Sequence, residues 1–339
     1  MAEPVGHIFI VGNSRSGTTM MLRVMDNHPL VHGINEPHFY ETHWAPEDEW
    51  KAIAKPIGAV LFAKLMTRQR EGFFATPREG AYAGEIEALL AALPEGFTRV
   101  DVFRSFMDNE TRLHGKSVSC EKTPQNVFYI ADIQRHFPDS KVIVMYRDPR
   151  AVMLSQKRKW MRKELGNAGM PDAEVRRLRM NYHPYTIGKL WNASFQAAQR
   201  FKDDPNVVAV RFEDLTNDPQ GTLSRVCATL GIPMDGRMMD IPHAGSSSAK
   251  DDLSKRGIRG DRADVWRKDL SDEEIAICQN TCAAHMRTLG YAPVEVRNGA
   301  LKLGWLWITF PFKLAGALVL NLHRMRNIGS TLRKRLARG

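Results

Sequence analysis

The chain has 339 residues, of which 43% are hydrophobic, and a formal net charge of +10. That length predicts one large α/β domain with extensions. Nine of the basic residues and no acidic residue lie in residues 297–339, so residues 1–296 are close to neutral, and their bulk charge does not favour nucleic acid as a partner.

The cysteines indicate neither a disulfide framework nor a metal centre. Cys120, Cys227, Cys278 and Cys282 are few for a chain of this length, and no histidine stands at ligand spacing from them. We therefore expect reduced core thiols and no bound metal. The N-terminus has no basic segment followed by an apolar one, as a secretion signal would, so the predicted location is the cytoplasm.

A strand, a glycine-containing loop and a helix are predicted at the start of the chain. Residues 7–11 favour a strand, residues 12–19 read GNSRSGTT, and residues 18–27 favour a helix. Backbone N–H groups in such a loop bind phosphate. The spacing is that of a Walker A loop, but Thr18 replaces the lysine and Arg15 is the only basic residue. An ATP or GTP site is disfavoured, and a purely structural turn is an alternative.

Two further transitions from strand to helix are predicted. Residues 141–146, KVIVMY, indicate a strand buried on both faces, and Asp148-Pro149 begins a helix after it. Residues 207–212, VVAVRF, indicate another strand, with a helix from Pro219 to Leu230. This alternation predicts an α/β fold, P-loop-like and doubly wound, in which helices flank a mostly parallel sheet and ligands bind at the carboxyl ends of the strands.

Arg147 directly follows the strand predicted at 141–146, where a kinase would present a metal-binding aspartate. Its guanidinium and the Ser155 hydroxyl are suited to binding a phosphate group. The alternatives are that Arg147 pairs with a carboxylate and that Ser155 only caps a buried face.

The rest of the body is less informative. Residues 61–93 favour helices that cover the sheet or line a ligand cleft, and residues 246–264 are polar and predict a surface loop. Ser271 begins a capped helix that ends near Leu289. We place the end of the domain at residue 296.

Residues 297–339 form a hydrophobic and polybasic extension. Pro311 and Lys313 make residues 301–322 a poor bilayer-spanning helix, although the stretch is long enough to span. A segment that lies in the interface, on the anionic inner face of the membrane, fits better because basic residues follow it. Packing on the domain or in a dimer is the alternative, and the oligomeric state stays open.

Five short motifs occur in order along the chain: RSGTT at 15–19, NEPHFY at 35–40, EKTP at 121–124, VRFEDL at 210–215 and KRGIRGD at 255–261. In their order and spacing they resemble the sulfotransferases that use 3′-phosphoadenosine 5′-phosphosulfate (PAPS). The resemblance covers most of residues 6–292. It implies that three groups of residues bind the donor: Arg15, Ser16, Gly17, Thr18 and Thr19 at the 5′-phosphosulfate, Arg147 and Ser155 at the 3′-phosphate, and Lys255, Arg256 and Gly257 in a closing loop.

In the closing loop the likeness is incomplete. The cytosolic branch of the family has a tryptophan directly after its Gly-Asp pair, whereas here Arg262 follows Asp261. Trp266 and Arg267 are therefore the alternative contacts to the nucleotide.

The resemblance also implies the catalytic groups. Pro124 stands where the cytosolic branch has a catalytic histidine, so the match is closer to the carbohydrate sulfotransferases and their bacterial relatives, whose base is acidic. We expect Glu36, with a pKa raised by partial burial, to be the base, and His38 is the alternative. Arg15 and Lys122 would stabilise the developing charge. Lys122 as an ordinary ion-pair partner of Glu121 or Asp132 is also an alternative.

The sequence therefore predicts transfer of a sulfuryl group from PAPS to a hydroxyl or amine, without a metal. The acceptor is expected to be a small molecule or a lipid-like one. Two other hypotheses remain: a P-loop kinase, and a membrane-associated module that binds the nucleotide without catalysis.

Overall fold

The central feature of the computed structural model is a five-stranded parallel sheet, in the order β2-β3-β1-β4-β5. The structure describes residues 6–165, 169–243, 252–258, 260, 264–297 and 299–321. The strands are β1 (Gly6–Gly12), β2 (Val31–Asn35), β3 (Val118–Lys122), β4 (Lys141–Tyr146) and β5 (Val207–Arg211). Parallel strands connected by helices confirm the predicted α/β fold class.

Helices cover the sheet and connect its strands. They are α1 (Thr18–Asp26), α2 (Phe39–Thr42), α3 (Lys55–Glu71), α4 (Ala83–Ala92), α5 (Arg99–Leu113), α6 (Ile130–His136), α7 (Pro149–Lys157), α8 (Arg162–Leu165), α9 (Asp172–Met180), α10 (Pro184–Gln199), α11 (Phe212–Asn217), α12 (Pro219–Leu230), α13 (Trp266–Asp269), α14 (Asp272–Thr288) and α15 (Ala300–Asn321). A short 3₁₀ turn, Lys159–Met161, lies between α7 and α8.

The helix starts predicted from the sequence are confirmed by their caps. The Asp148 carboxylate accepts a hydrogen bond from the Arg150 backbone N–H at 2.9 Å, and Asp218 caps α12 in the same way through Gly221. Ser271 and Glu274 form a capping box at the start of α14. Such side-chain acceptors satisfy N–H groups that have no partner within the helix.

Each face of the sheet packs in its own apolar cluster. Phe9 and Val11 of β1 face the cluster that contains α3 and α5, whereas Ile8 and Ile10 face the cluster that contains α1 and α12. Successive side chains of a strand point to opposite faces, so β1 is buried on both. A third cluster joins α7, α10 and α14 around Trp191 and Trp266.

The surface loop predicted at 246–264 is wrong in part. Residues Asp252–Arg256 form strand β7, which pairs antiparallel with β6 (Pro242–His243). Ser254, Lys255 and Arg256, which are among the polar residues that indicated a loop, are exposed on this strand, where side chains need not be apolar. Much of the remaining predicted loop lies outside the described residues.

Helix α15 continues through Pro311 and is long and apolar enough to cross a membrane by length and composition. One side of it contacts α9 and the start of α10. Asn321 accepts a hydrogen bond from Arg177 at 2.8 Å, and the ring of Trp307 lies 5.3 Å from that of Tyr185. On the other side, Phe312 is 75% exposed. The predicted contact with the domain and the exposed apolar surface therefore coexist in the same helix.

A substitution at Gly17 tests the turn into α1. Gly17 has φ 92°, and an added Cβ would lie 2.5 Å from Cδ2 of Phe212. We expect Gly17→Ala to lower the free energy of unfolding in urea by about 1–3 kcal/mol, because it adds left-handed strain to a steric clash. Gly84→Ala is the matched control: Gly84 lies in α4 with open space at its Cβ, so stability should stay equal or rise. Equal stability of both variants would contradict the clash.

Candidate active site

The carboxyl ends of four strands place the predicted residues at one edge of the sheet. Glu36 follows β2, Lys122 ends β3, Arg147 follows β4, and the loop 12–19 follows β1. Parallel register fixes their positions, since Asn35 lies opposite Lys122 and Gly12 lies opposite Met145. This is the edge at which ligands bind in doubly wound sheets.

The loop 12–19 has the geometry of an anion cradle. Gly12 passes so close to β4 that an added Cβ would lie 2.4 Å from the carbonyl oxygen of Met145. Ser16 is fully buried, and its Oγ has no hydrogen-bond partner in the described part of the chain. A buried hydroxyl of this kind needs a ligand or water to complete it. Beside it, Gly17 leads directly into the N-terminus of α1, where backbone N–H groups attract anions.

Arginine side chains converge on this loop. The Arg15 Nε donates to Ser155 Oγ at 2.9 Å, and the Arg147 guanidinium donates to the Arg15 carbonyl oxygen at 3.3 Å. Arg147 also lies over the Phe212 ring at 4.1 Å. Burial and then repulsion from Arg147 and Arg162 lower the pKa of Arg15 to about 10. So dense a cluster of cations favours a ligand with several negative charges.

Lys122 connects the anion cradle to Glu36. Its Nζ donates to Glu36 Oε1 at 2.5 Å and to Thr19 Oγ1 at 3.2 Å. The Lys122 side chain is 1% exposed, whereas the Glu36 side chain is 31% exposed. The alternative ion pair of Lys122 with Glu121 or Asp132 does not occur, because Lys122 turns to the carboxylate that follows β2.

His38 connects Glu36 to a second carboxylate. Its Nε2 lies 3.6 Å from Glu36 Oε2, and its Nδ1 lies 2.8 Å from Glu41 Oε2. Burial opposes the charged ring, but the neighbouring carboxylates of Glu36 and Glu41 outweigh it and raise the pKa of His38. Glu41 was not predicted as a site residue, although its place three residues after His38, at the start of a short helix, was a usable signal.

The predicted rise in the pKa of Glu36 is wrong. Burial does favour the protonated acid, but the Lys122 ammonium and His38 outweigh burial and hold the pKa well below its usual range. Sequence order did not show that an ammonium lies against this carboxylate. Glu36 is therefore ionised and paired in the structure as it stands.

Backbone strain is concentrated at these residues. Among the described residues, the non-glycine positions with positive φ include Arg15 at 76°, Glu36 at 51° and His38 at 52°. The Glu36 N–H donates to the Lys122 carbonyl at 2.9 Å, and Arg68 donates to the Pro37 carbonyl at 3.0 Å, which fix this conformation. Strain of this kind persists where the surrounding structure demands it, and it clusters at functional sites.

Glu121 is a buried carboxylate close to Lys122 in sequence, for which no catalytic role was predicted. It is fully buried, and it accepts hydrogen bonds from Thr123 at 2.5 Å and from Asn126 at 2.9 Å. Burial raises its pKa to about 7 in spite of these bonds. Its partners all belong to the turn after β3, so we interpret it as the residue that holds Lys122 and Thr123 in place.

The predicted closing loop is not joined to the anion cradle in this structure. Lys255 pairs with Asp252 at 3.1 Å, Arg256 pairs with Asp240 at 2.6 Å, and Gly257 follows β7 with φ 107°. The alternative, Trp266, is buried in the third cluster with the Arg150 guanidinium 4.1 Å from its ring, and Arg267 pairs with Asp264. Nucleotide contacts from either segment remain predictions.

The cysteines have the predicted core positions. All of them are buried and free of disulfide bonds. In the described part of the chain, no group of three or more His, Cys, Asp or Glu side chains is arranged to hold a metal ion.

The fold and the site together define a P-loop-like α/β protein with an anion cradle and an ion-paired carboxylate beside it. A family model described as the sulfotransferase family matches residues 7–236. The match covers more than half of the chain, so the chain belongs to the sulfotransferase family. The resemblance drawn from the motifs is thereby confirmed.

Individual relatives are distant. Carbohydrate sulfotransferase 3 of Homo sapiens is 26% identical over 192 residues, which cover 50% of this chain and 39% of the relative. Nodulation protein NoeE of Sinorhizobium fredii is 23% identical over 308 residues, which cover 84% of this chain and 65% of the relative. The chain thus spans less than two thirds of either relative.

A solved structure shows the same fold. The sulfotransferase domain of the Synechococcus PCC 7002 olefin synthase superposes with a TM-score of 0.53 at 18% identity. The superposition covers 86% of this chain and 97% of that domain. At this identity the likeness extends to the fold alone.

Titration of His38 tests the geometry around Glu36. Because both carboxylates favour the protonated ring, we expect its pKa to lie above the usual value in the native protein and to fall in Glu36→Gln, which removes one of them. The imidazole C–H shifts in an NMR titration report this change. Glu71→Gln, which alters a carboxylate paired with Arg78 and Tyr82, is the control and should leave the His38 pKa unchanged. An unchanged pKa in Glu36→Gln would contradict the contact.

Proposed function

We propose that the protein transfers a sulfuryl group from PAPS to a hydroxyl or amine of its acceptor, with Glu36 as the base. The observation that carries this proposal is the position of Glu36. Its carboxylate is bound to Lys122, and the same ammonium contacts Thr19 at the end of the anion cradle. Proton acceptor and charge-stabilising cation therefore lie side by side where donor and acceptor would meet.

The anion cradle supports the donor assignment. The backbone of the loop 12–19, the buried Ser16 hydroxyl and the N-terminus of α1 are suited to the 5′-phosphosulfate. Arg147 and Ser155 are suited to the 3′-phosphate. Because Arg15 donates to Ser155 at 2.9 Å, we expect Arg15 to change partner when the donor binds, which would free the Ser155 hydroxyl for the phosphate.

The proposed reaction is an in-line displacement at sulfur. The acceptor oxygen or nitrogen forms a bond to sulfur while the bond from sulfur to the 5′-phosphate oxygen breaks, and the acceptor proton passes to Glu36. Negative charge moves to the leaving phosphate, where Arg15 and Lys122 stabilise it. If Lys122 turns from Glu36 toward the donor, the pKa of Glu36 rises and the carboxylate becomes a better base.

Replacing Glu36 separates catalysis from binding. We expect Glu36→Gln to lower kcat by about 10²–10⁴-fold, because it removes the base, and to leave the affinity for adenosine 3′,5′-bisphosphate nearly unchanged. Arg147→Ala should instead weaken the affinity for adenosine 3′,5′-bisphosphate about tenfold to a hundredfold, since charged hydrogen bonds to the phosphate are lost. Transfer from labelled PAPS gives the rates, and calorimetry without magnesium gives the affinities.

The control for Arg147 is Arg78→Ala, because the Arg78 side chain is 79% exposed and distant in sequence from the cradle. Unchanged turnover in Glu36→Gln would remove Glu36 from its role. Magnesium-dependent binding of ATP in preference to adenosine 3′,5′-bisphosphate would reject the donor, and binding without transfer by the native protein would favour a non-catalytic module.

We also propose that the C-terminal extension binds the anionic inner face of the membrane, which gives access to a lipid-like acceptor. The support is the exposed side of α15, where Leu301, Trp305, Ile308, Phe312 and Val319 recur at helical spacing and are at least 64% exposed. The basic residues beyond 321 lie outside the described residues, but they come directly after this helix in the sequence. An apolar stripe followed by basic residues is typical of interfacial attachment.

A charge on the exposed side tests the attachment. We expect Phe312→Asp to reduce binding to phosphatidylglycerol vesicles at least tenfold in a sedimentation assay, because a carboxylate enters the stripe and repels the lipid. The control is Leu113→Asp, which places the same charge at an exposed apolar residue outside α15. This variant should bind the vesicles as the native protein does. Equal binding by Phe312→Asp and the native protein would contradict an interfacial role for α15.

A further inference from the structure

The imidazole of His38 lies between two carboxylates, one of which belongs to the proposed base. Its Nε2 is 3.6 Å from Glu36 Oε2, and its Nδ1 is 2.8 Å from Glu41 Oε2. The ring itself is mostly covered, with 14% of the side chain exposed, whereas about twice that fraction of each carboxylate is exposed. A continuous path of titratable groups therefore leads away from Glu36.

The orientation of the His38 ring is fixed by its surroundings. The Phe73 ring is packed edge-on to it, with 5.6 Å between the centroids. The left-handed backbone of His38 is held by Thr42, whose N–H and Oγ1 both donate to the His38 carbonyl, at 3.0 and 2.7 Å. Turning the ring over would break the contact of Nδ1 with Glu41. Nε2 is therefore the ring nitrogen that stays directed at Glu36.

The two ring nitrogens differ in their hydrogen bonding. An ionised carboxylate only accepts, so the Nδ1 that faces Glu41 carries the hydrogen of a neutral ring and donates it. Nε2 is buried and has no hydrogen-bond partner in the described part of the chain, because 3.6 Å is too long for such a bond. A neutral His38 thus presents a lone pair to the carboxylate of Glu36.

Further charges lie around this imidazole on three elements. They are Lys122 and Glu121 of β3, Arg68 of α3, and His43 directly after α2. The ring nitrogens themselves face Glu36 and Glu41. Because the interaction between charges weakens with distance, these two carboxylates have the largest electrostatic effect on the proton of the ring.

We propose that His38 and Glu41 are positioning residues for the transfer: Glu41 fixes the tautomer of His38, and His38 Nε2 takes from Glu36 the proton that the acceptor releases. This inference rests on the proposed function and adds two residues to it. As the acceptor forms its bond to sulfur and the bond from sulfur to the 5′-phosphate oxygen breaks, the acceptor proton passes to Glu36 Oε2 and then to Nε2. The imidazolium returns that proton to water after the product leaves, and Glu36 is ionised throughout the rest of the cycle.

The electrostatics of the two groups favour this direction of proton movement. Although burial opposes both charged forms, Lys122 and His38 hold the pKa of Glu36 well below its usual range, whereas Glu36 and Glu41 raise the pKa of His38. A proton on Glu36 is therefore less stable than the same proton on an imidazole between two carboxylates. The relay needs a neutral ring at its start, so the rate should rise as the pH rises through the pKa of His38.

The tautomer can be measured without an acceptor. At a pH above the pKa of His38, the nitrogen chemical shifts of the ring should show the hydrogen on Nδ1 in the native protein. Glu41→Leu removes the acceptor of that hydrogen bond and should shift the hydrogen toward Nε2. Glu71→Gln, whose carboxylate contacts Arg78 and Tyr82, is the control and should leave the tautomer unchanged. A native ring with its hydrogen on Nε2 would overturn the inference.

The pH profile separates a relay from a purely structural contact. Glu41→Gln keeps an oxygen that accepts from Nδ1 but removes the charge that stabilises the imidazolium, so the pKa of His38 falls and the neutral ring persists to lower pH. We expect the acid limb of kcat to move to lower pH and its plateau to fall about tenfold or more, since a weaker proton acceptor remains. Transfer of label from PAPS to phosphatidylglycerol, and to water as sulfate, gives the rates. A structural role would lower the rate without moving the limb.

Added imidazole tests whether the ring itself is needed. Glycine adopts the left-handed backbone of His38, φ 52°, without strain, so His38→Gly removes the ring and leaves space for a free imidazole. We expect kcat to fall about tenfold to a hundredfold or more and to recover in part when imidazole is added. His38→Asn fills the space with a group that does not titrate and should not recover. His114→Gly, at an exposed position after α5, should be active with or without imidazole.

The outcomes separate this inference from the proposed function. Binding of adenosine 3′,5′-bisphosphate, measured on every variant, should match that of the native protein. An unmoved acid limb in Glu41→Gln, or no recovery of His38→Gly with imidazole, overturns the inference while Glu36 and the donor site stand. Loss of turnover in His38→Gly together with full turnover in Glu36→Gln would make His38 the base and overturn both assignments. A native protein that binds no nucleotide, or binds it and transfers no label, would reject the proposed function itself.

Discussion

The contact between Lys122 and Glu36 depends on one structural constraint, the parallel pairing of β2 with β3. Because Asn35 lies opposite Lys122, the residue after β2 leaves the sheet beside the last residue of β3. The Glu36 N–H is bound to the Lys122 carbonyl, so backbone and side chain hold the same pair together. A shift of one residue in this register would point the Lys122 side chain to the opposite face of the sheet. The site therefore depends on this register, and the bond from the Glu36 N–H to the Lys122 carbonyl helps to fix the left-handed conformation of Glu36.

The cations of the site are close together, and only part of their charge is balanced by Glu36. Arg15, Lys122 and Arg147 lie at the end of the sheet, and burial, followed by repulsion from Arg147 and Arg162, lowers the pKa of Arg15. Glu36 offsets part of this charge, and its low pKa records how strongly it does so. A polyanionic donor offers the cations a better partner, and each cation that moves to the donor weakens the hold on Glu36. Under the proposed function, donor binding itself prepares the base, with no need for a carboxyl group that is weakly acidic in the free protein.

Sequence reasoning succeeded where the signal is local. The apolar runs of β4 and β5 and the caps Asp148, Asp218 and Ser271 are legible because strand burial and helix starts depend on adjacent residues. Strands β2 and β3, VHGIN and VSCEK, were missed, since their polar residues are buried by packing from distant segments. The direction of the Glu36 pKa was wrong for the same reason: its partner, Lys122, is 86 residues away. Likewise, Arg15 and Ser155 are 140 residues apart, so the residues around either one do not predict their contact.

Helix α15 shows how two interpretations of one segment are compatible. Polar groups at its inner side, such as Lys313 donating to the Tyr182 carbonyl at 3.3 Å and Asn321 bonded to Arg177 and Asn181, fix its rotation about its own axis. Because these bonds are directional, a helix with apolar residues around most of its circumference presents one defined stripe outward. Tyr182 also donates to Glu274, which is paired with Lys157 at the end of α7, the helix that carries Ser155. The contacts therefore continue from the outer helix to the anion cradle, so a surface bound by the stripe would hold the catalytic edge in a fixed orientation.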